Sequence, residues 1–268
     1  MTRLSLRWLA AMKDKAERTT ILGHLADLRR VLMVSIAAIS GGALICYFFL
    51  REPLMSLAFD PIRRLGKDPA ILGVGEGFMV QLQLTLVAGI VLASPIVLWQ
   101  IISFILPALY KHEKRIFFVS FFLAFFLFAA GIVFAYVYVL QICLSTFLVG
   151  YSEGLTIMIS ASRYLSFLQG FLLPFGLAFQ LPLAVCLLTR LGILTPQWLK
   201  KKRKYAILVI LVIAMLLTPP DILSQILLSG PLLVLYEISI WFSMAVMRRK
   251  RIRQQAEYEL AKRIYPLE

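Results

Sequence analysis

The sequence predicts an all-α membrane protein with six transmembrane helices and both chain ends on the cytoplasmic side. Hydrophobic residues make up 60% of the chain and charged residues only 16%, whereas soluble domains are about half apolar and about a quarter charged. Several apolar runs reach the roughly 20 residues that cross a bilayer. The basic residues are concentrated in alternate loops, which indicates a fixed orientation in the membrane.

Six apolar runs are separated by segments rich in proline, glycine or charge. They cover residues 31–50, 78–106, 116–148, 163–188, 205–217 and 222–247. The third run exceeds the thickness of a bilayer core, so its helix must tilt or extend beyond the membrane. The fourth is interrupted by Pro174 and Pro182, and the fifth is short, at about 20 Å. Between the first two runs, Leu54, Leu57 and Ile62 indicate a short surface helix.

The distribution of basic residues predicts the topology. Of the 28 lysines and arginines, 23 lie in residues 1–30, 106–115, 189–204 and 248–268. Loops with such an excess face the cytoplasm. We therefore expect a cytoplasmic basic segment at 1–30, a membrane domain at 31–247 and a cytoplasmic basic tail at 248–268. The net charge of +14 then reflects membrane topology and not nucleic-acid binding.

The N-terminal residues lack the features of a cleaved signal. Residues 2–20 carry five basic side chains and no apolar core that ends in a small-residue cleavage site. Leu4, Trp8 and Met12 would form the apolar stripe of an amphipathic helix on the lipid surface. The three cysteines, Cys46, Cys143 and Cys186, lie in separate apolar runs, a pattern that indicates neither a disulfide framework nor a metal site.

A series of short motifs follows a fixed order through the six spans. They are His24-Leu-x-Asp-Leu-Arg29, Pro61, Glu76-x-Phe78, Ser94-Pro95-x-x-Leu98-x-Gln100, Pro107-Ala-Leu-Tyr-Lys-His-Glu113, Gly131-x-x-Phe134-Ala-Tyr136, Tyr164-Leu-Ser-Phe167, Phe175-Gly176-x-x-Phe179-x-x-Pro182, Leu217-Thr-Pro-Pro-Asp221 and Tyr236-Glu237. Each motif alone is weak, but their joint order is very specific. From about residue 21 to about residue 244, the chain resembles the TatC subunit of the twin-arginine protein translocase.

The resemblance implies a receptor and not an enzyme, folded as a concave six-helix bundle with an extracytoplasmic cap. Such proteins bind the twin-arginine signal peptides of folded cargo at the cytoplasmic face. They assemble with single-span partners of the TatA and TatB type, and the proton-motive force drives transport. We therefore expect a multi-pass protein of the cytoplasmic (inner) membrane that self-associates in a larger complex and needs no cofactor.

The resemblance implies a signal-peptide site at the cytoplasmic ends of the first and third spans. Asp27 and Glu113 match the acids that read arginines in the family, where glutamate is usual at the position of Asp27. The same motifs contribute His24, Arg29, Tyr110 and His112. Carboxylates suit the planar guanidinium group because they accept paired hydrogen bonds. Two other interpretations stay open: Asp27 as an i,i+3 partner of Arg30, and Glu113 as part of a solvated basic turn.

Three polar residues inside the spans are candidates for an intramembrane site. The family commonly has glutamate where this chain has Gln180, and an amide cannot ionise, which puts a proton-linked role of this position in doubt. Gln169 lies eleven residues earlier, a spacing that places both amides on one helix face. The pair either joins helices or forms a polar patch on the concave face. Glu237 is an intramembrane acid with no evident partner in sequence.

Further positions follow from the resemblance. Met215, Thr218 and Gln225 match polar contact positions of the family's partner-docking face on spans five and six. Alternatively, these residues line the turn at 218–221, with Asp221 capping span six. Three residues are expected to be structural: Pro61, which matches a cap proline of the family, with Glu76 and Phe78.

Two other protein classes share some of these features. Secondary transporters also have proline-broken spans and polar groups near the midplane, but no internal repeat relates the two halves of this chain, and the fifth span is short for gating. An intramembrane protease needs a serine nucleophile beside a buried histidine, or a pair of intramembrane aspartates. Ser152 lies in a Gly-x-Ser-x-Gly string of an outer loop, whereas His24 and His112 lie at the cytoplasmic edge. The protease is excluded, and the transporter remains the alternative.

Overall fold

The computed structural model describes residues 3–105, 114–150, 158–217 and 222–264. Its helices are α1 (Arg3–Phe49), α2 (Arg51–Arg63), α3 (Glu76–Ile105), α4 (Lys114–Phe134), α5 (Leu140–Ser145), α6 (Ala161–Ala178), α7 (Leu181–Leu191), α8 (Pro196–Lys201), α9 (Arg203–Leu217) and α10 (Ile222–Ile264). π-Helical turns at Ala135–Val139 and Thr146–Gly150 flank α5. Two short parallel strands, β1 (Pro69–Ala70) and β2 (Ile159–Ser160), add a feature that an all-α prediction lacks.

Five helical segments of the described chain are long and apolar enough to cross a membrane. They cover residues 25–49, 76–104, 117–148, 161–191 and 225–249. The fifth predicted span, at residues 205–217, corresponds to α9, whose 15 residues extend about 22 Å, less than a hydrocarbon core of roughly 30 Å. The boundaries expected at residues 30 and 247 both lie inside continuous helices, because α1 and α10 run through them.

Helices α1 and α3 cross where two glycines face each other. A Cβ atom on Gly42 would lie 2.9 Å from the carbonyl oxygen of Gly89, and one on Gly89 would lie 2.5 Å from the backbone nitrogen of Ala43. Side chains cannot be accommodated at such distances, so the two backbones touch directly. Nearer the ends of these helices, the Arg51 guanidinium donates to Gln81 across 3.4 Å. The two contacts show that α1 and α3 run antiparallel.

The end of the bundle that carries α2, β1 and β2, called the cap end, is closed by hydrogen bonds around a proline. Pro61 is buried inside α2 and has no backbone N–H. The carbonyl of Leu57, four residues earlier, therefore lacks its helical donor and accepts a hydrogen bond of 2.7 Å from the Tyr136 hydroxyl. The next carbonyl, of Ala58, accepts one of 2.8 Å from the Tyr164 hydroxyl. Two phenols thus hold α2 in place.

Glu76 joins the start of α3 to the start of α6. One carboxylate oxygen accepts hydrogen bonds from the Ser160 hydroxyl and the Ser162 backbone N–H. The other accepts from the backbone N–H groups of Leu72 and Gly73. Charge-assisted bonds of this kind are stronger than neutral ones, and a carboxylate is favoured at the first turn of a helix.

The fourth predicted span is two helices rather than one. Helix α6 ends at Ala178, four residues before Pro182, because Pro182 cannot donate to that carbonyl and its ring excludes a continuous helix. Pro174 was also expected to interrupt the span, but it lies inside α6. Helix α6 packs closely on α4, since a Cβ atom on Gly131 would lie 2.7 Å from the Phe175 carbonyl oxygen.

Candidate functional site

The end of the bundle opposite the cap, called the basic end, carries Asp27, one of the two acids predicted to read arginines. Asp27 lies fifteen residues before Gly42 on α1, and Phe104 lies fifteen residues after Gly89 on α3. Because the antiparallel helices meet at those glycines, both residues lie about 22 Å further toward the basic end. Asp27 is therefore level with the last turn of α3.

Helix α4 begins at the same level. The Trp99 ring of α3 packs edge to face against Phe117 at 4.6 Å and Phe121 at 5.1 Å between ring centroids. This antiparallel register places the backbone of Lys114, the first residue of α4, beside the last turn of α3. Two of the parts predicted to form the site, Asp27 of α1 and the start of α4, therefore lie at one level. Three of its predicted residues, Tyr110, His112 and Glu113, lie outside the described residues.

Asp27 is exposed on α1, as are Arg29 and Arg30. No ion pair joins Asp27 to Arg30, although both side chains belong to the described residues. The i,i+3 interpretation of Asp27 therefore finds no contact in its favour. His24 lies on the same helix, but its side chain is outside the described part.

Gln180 joins two helices of the bundle. Its Nε2 donates a hydrogen bond of 3.0 Å to the backbone carbonyl of Ala124 in α4. Gln169 belongs to α6, which ends before Gln180, and no hydrogen bond connects the two amides. The eleven-residue spacing spans the end of α6 at Ala178 and reaches the N-cap of α7, so no contact supports the predicted shared helix face.

Gln169 instead has a counterpart on α3. Glu76 accepts from Ser162, so α3 and α6 start at one level and run in the same direction. Gln83 lies two turns beyond Glu76, and Gln169 lies two turns beyond Ser162, which puts both amides at one depth. The Oε1 atom of Gln83 and the Nε2 atom of Gln169 are both buried without a hydrogen-bond partner. An acceptor and a donor are thus available at matching positions, a relation that sequence spacing within one helix could not reveal.

Glu237 has an ion-pair partner that the sequence did not identify. Its carboxylate accepts a hydrogen bond of 2.6 Å from Arg203, and each side chain is close to half exposed. On the neighbouring residue, the Tyr236 hydroxyl donates to the carbonyl of Leu199 across 2.9 Å. The two bonds place Glu237 level with the start of α9. Arg203 lies fifteen residues before the turn at 218–221 and Glu237 lies sixteen residues after it, and this near-equal spacing is the sequence signal that would have found the pair.

The partner-docking candidates lie along the hairpin of α9 and α10. The Met215 side chain is 64% exposed, and Gln225 Nε2 donates to the Leu211 carbonyl across 3.3 Å. Thr218 and Asp221 lie outside the described residues. Phe78, expected to be structural, is 57% exposed and so adds little to the packing of the cap end.

Known protein families account for most of the chain. The family model described as Sec-independent protein translocase protein (TatC) matches residues 23–231. The TatC protein of Carboxydothermus hydrogenoformans is 40% identical over 233 residues, which cover 87% of this chain and 95% of that protein. TatCy of Bacillus subtilis is 36% identical over 250 residues, 92% of this chain and 97% of the relative. TatC of Escherichia coli is 32% identical over 237 residues, 88% and 92% of the two chains.

Solved structures agree with these relatives. A crystal structure of the twin arginine translocase receptor TatC superposes with a TM-score of 0.75 at 34% identity, covering 84% of this chain and 99% of that one. A second, determined in DDM, gives a TM-score of 0.76 at 35% identity, with coverages of 82% and 99%. Family model, sequence relatives and fold each cover more than three quarters of the chain. The chain therefore belongs to the TatC family of Sec-independent protein translocase proteins.

Proposed function

We propose that this chain is the receptor of a twin-arginine translocase. It binds the twin-arginine signal peptides of folded cargo at its cytoplasmic face and assembles with single-span partners of the TatA and TatB type. Export is driven by the proton-motive force. The observation that carries the proposal is the common level of Asp27 and the start of α4, in a chain whose family is a translocase component.

Two arginines need two carboxylates, and the helix register supports such a pair. Adjacent side chains of an extended peptide point to opposite sides, so the two guanidinium groups diverge. Helices α1 and α4 both pack on α3, and packed helix axes lie about 8–10 Å apart, so α1 and α4 are within about 20 Å of each other. Asp27 on α1 and Glu113, immediately before α4, can then each receive one guanidinium. The basic residues around them repel a peptide that misses the carboxylates.

The proposal includes six spans with both termini in the cytoplasm. The distribution of 23 basic residues supports this orientation, with α9 as a short fifth span. Single cysteines introduced near Lys67 and Glu153 should react with a reagent applied from outside. Cysteines near His112 and Lys202 should react only after the membrane has been permeabilised, so that the reagent reaches the cytoplasmic side. One site labelled from the wrong side would contradict this topology.

The partners would dock on the hairpin of α9 and α10. Its exposed Met215 offers a flexible apolar contact. The short reach of α9 leaves room for a single-span helix beside it. Photo-crosslinking from position 215 to a TatA- or TatB-type protein would test this contact, with a probe at the equally lipid-exposed Phe126 of α4 as the control.

Binding of a labelled twin-arginine peptide to the purified protein tests the receptor site directly. Asp27→Asn and Glu113→Gln should each weaken binding by at least tenfold, which is about 1.4 kcal/mol, if the peptide shields the carboxylates from water. Charge reversal with Asp27→Lys or Glu113→Lys should abolish recognition. Glu52→Gln removes an exposed carboxylate at the cap end and should leave binding unchanged.

A twin-lysine peptide serves as the ligand control, because lysine lacks the planar fork of donors. It should bind the parent protein weakly, and its affinity should be the same for Asp27→Asn and Glu113→Gln as for the parent. If both charge-reversal variants fold and bind twin-arginine peptide like the parent, Asp27 and Glu113 are solvated loop residues and the receptor site lies elsewhere.

A further inference from the structure

A groove between α8 and the basic end of α10 combines three cationic side chains with an apolar floor. Its volume is about 360 Å³. Lys200 enters it from α8, and Arg248 and Arg251 enter it from α10, while Met244 and Met247 line its apolar part. Among the described residues that line the groove, none is acidic.

The groove follows from how α8 and α10 are held together. Met244, Arg248 and Arg251 recur at helical spacing and so occupy one face of α10. Helix α8 is fixed against α10 by the bond from Tyr236 to the Leu199 carbonyl and by packing of Leu199 in a buried cluster. The groove is therefore a preformed feature of packed helices.

The three cations of the groove are not neutralised within the described part of the chain. The ion pairs found there join Arg63 to Asp68, Arg64 to Asp60 and Arg203 to Glu237. Lys200, Arg248 and Arg251 take part in none of them and are exposed. Three unpaired cations around one cavity create a local site for an anion.

By the length and composition of α10, the groove also lies at the end of a candidate membrane span. The apolar segment of α10 ends at Arg249, so Met244 and Met247 fall inside it and Arg251 lies just beyond it. Phospholipid phosphates occupy this level, next to the first methylenes of their acyl chains. Basic pockets between helices at such boundaries bind anionic headgroups.

We propose that this groove binds the phosphate headgroup of an anionic phospholipid such as phosphatidylglycerol. The guanidinium groups of Arg248 and Arg251 can hold the phosphate oxygens with paired hydrogen bonds. Lys200 closes the groove from α8, and the upper part of an acyl chain lies against the two methionines. The site goes beyond signal-peptide recognition, since a cationic peptide would be repelled from it.

Native mass spectrometry of the purified full chain in detergent tests the assignment. Phosphatidylglycerol and phosphatidylcholine with identical acyl chains are titrated against the parent and two triple variants. Lys200→Gln/Arg248→Gln/Arg251→Gln removes the groove cations. Lys201→Gln/Lys204→Gln/Arg249→Gln removes the same charge from neighbouring positions that do not line the groove. Thermal unfolding and gel filtration establish that both variants are folded.

A basic residue beside an anionic headgroup strengthens binding by about a factor of five, so loss of the three cations that line the groove should weaken phosphatidylglycerol binding about 100-fold. The matched variant should stay within about twofold of the parent, and phosphatidylcholine should bind all three proteins alike. Equal losses in both variants would show unspecific attraction and overturn the proposal. Inorganic phosphate at millimolar concentration should not displace the lipid, and displacement would identify a free-phosphate site instead.

Discussion

Replacing Gly89 with alanine would separate α1 from α3 and so probes the contact that fixes the level of Asp27. The new Cβ atom would lie 2.5 Å from the Ala43 nitrogen and 2.7 Å from its Cα atom. Favourable contacts between such atoms need about 3.5–4.0 Å, so the two helices must move apart by about 1 Å. Neither obstacle is a flexible side chain, which means that the backbone itself must give way.

The expected cost follows from two opposing terms. Overpacking of this kind costs about 1–3 kcal/mol, and alanine recovers up to about 1 kcal/mol of helix propensity over glycine. A net destabilisation of about 1–2 kcal/mol is expected for Gly89→Ala. Gly41→Ala is the matched control on α1, because a Cβ atom there would meet nothing within 4 Å. That variant should be neutral or more stable by up to about 1 kcal/mol.

The free energy of unfolding in mixed micelles, measured by detergent titration, compares the two variants. Binding of twin-arginine peptide provides a second readout, since a displaced α1 carries Asp27 away from the start of α4. Gly89→Ala should lose stability and peptide affinity together, whereas Gly41→Ala should keep both. Indistinguishable stabilities for the two variants would refute the close-contact reasoning and with it the register that places Asp27.

Three further changes test contacts elsewhere in the bundle. Gln180→Leu removes the donor to Ala124 and should lower the free energy of unfolding by about 1–3 kcal/mol. Gln180→Glu should be tolerated, because a protonated carboxyl can donate the same hydrogen bond. Cargo export and the free energy of unfolding are measured for each of the two variants. Glu237→Gln should cost under about 1 kcal/mol in thermal unfolding because the pair with Arg203 is half exposed, and a double variant should lose no more. Glu76→Gln weakens the anionic acceptor of the cap, so limited proteolysis at residues 64–75 should be faster.

The helical spans were predictable because long apolar runs have few alternatives in a bilayer. The second span was expected at residues 78–106 and is described over Glu76–Ile105, whereas its predicted end at Pro107 lies outside the described residues. The order of the motifs also predicted the family, which the comparisons confirm. Both results rest on local signals that need no knowledge of how helices pack.

Contacts between helices were the part that the sequence could not supply. The partner of Glu237 depends on the register of α9 against α10, and the depth shared by Gln83 and Gln169 depends on where two helices start. Pro174 and Pro182 look alike in sequence, yet only Pro182 coincides with a break. The π-helical turns at 135–139 and 146–150 also change the helical phase, so a single helical wheel misplaces the side chains that follow them.

The residue types of the proposed receptor site were predictable from the sequence. The structure adds the level that Asp27 shares with the start of α4. Carboxylates in a basic environment suggest arginine recognition from chemistry alone. That Asp27 is level with the start of α4 required the Gly42–Gly89 contact and the ring contacts of Trp99, which no pattern within one span encodes.

The hydrogen bonds at the cap end have a mechanical consequence. Tyr136 and Tyr164 attach α2 to two different helical segments, and Glu76 attaches α3 to α6. These three contacts do not lie on one line, so together they hinder rotation of α2, α3 and α6 relative to each other. The hydrogen bonds therefore restrain α2, α3 and α6 against one another at the cap end. Relative movement of these helices is thus more restricted at the cap end than beyond the interruption between Ala178 and Leu181, where α7 continues as a separate helix.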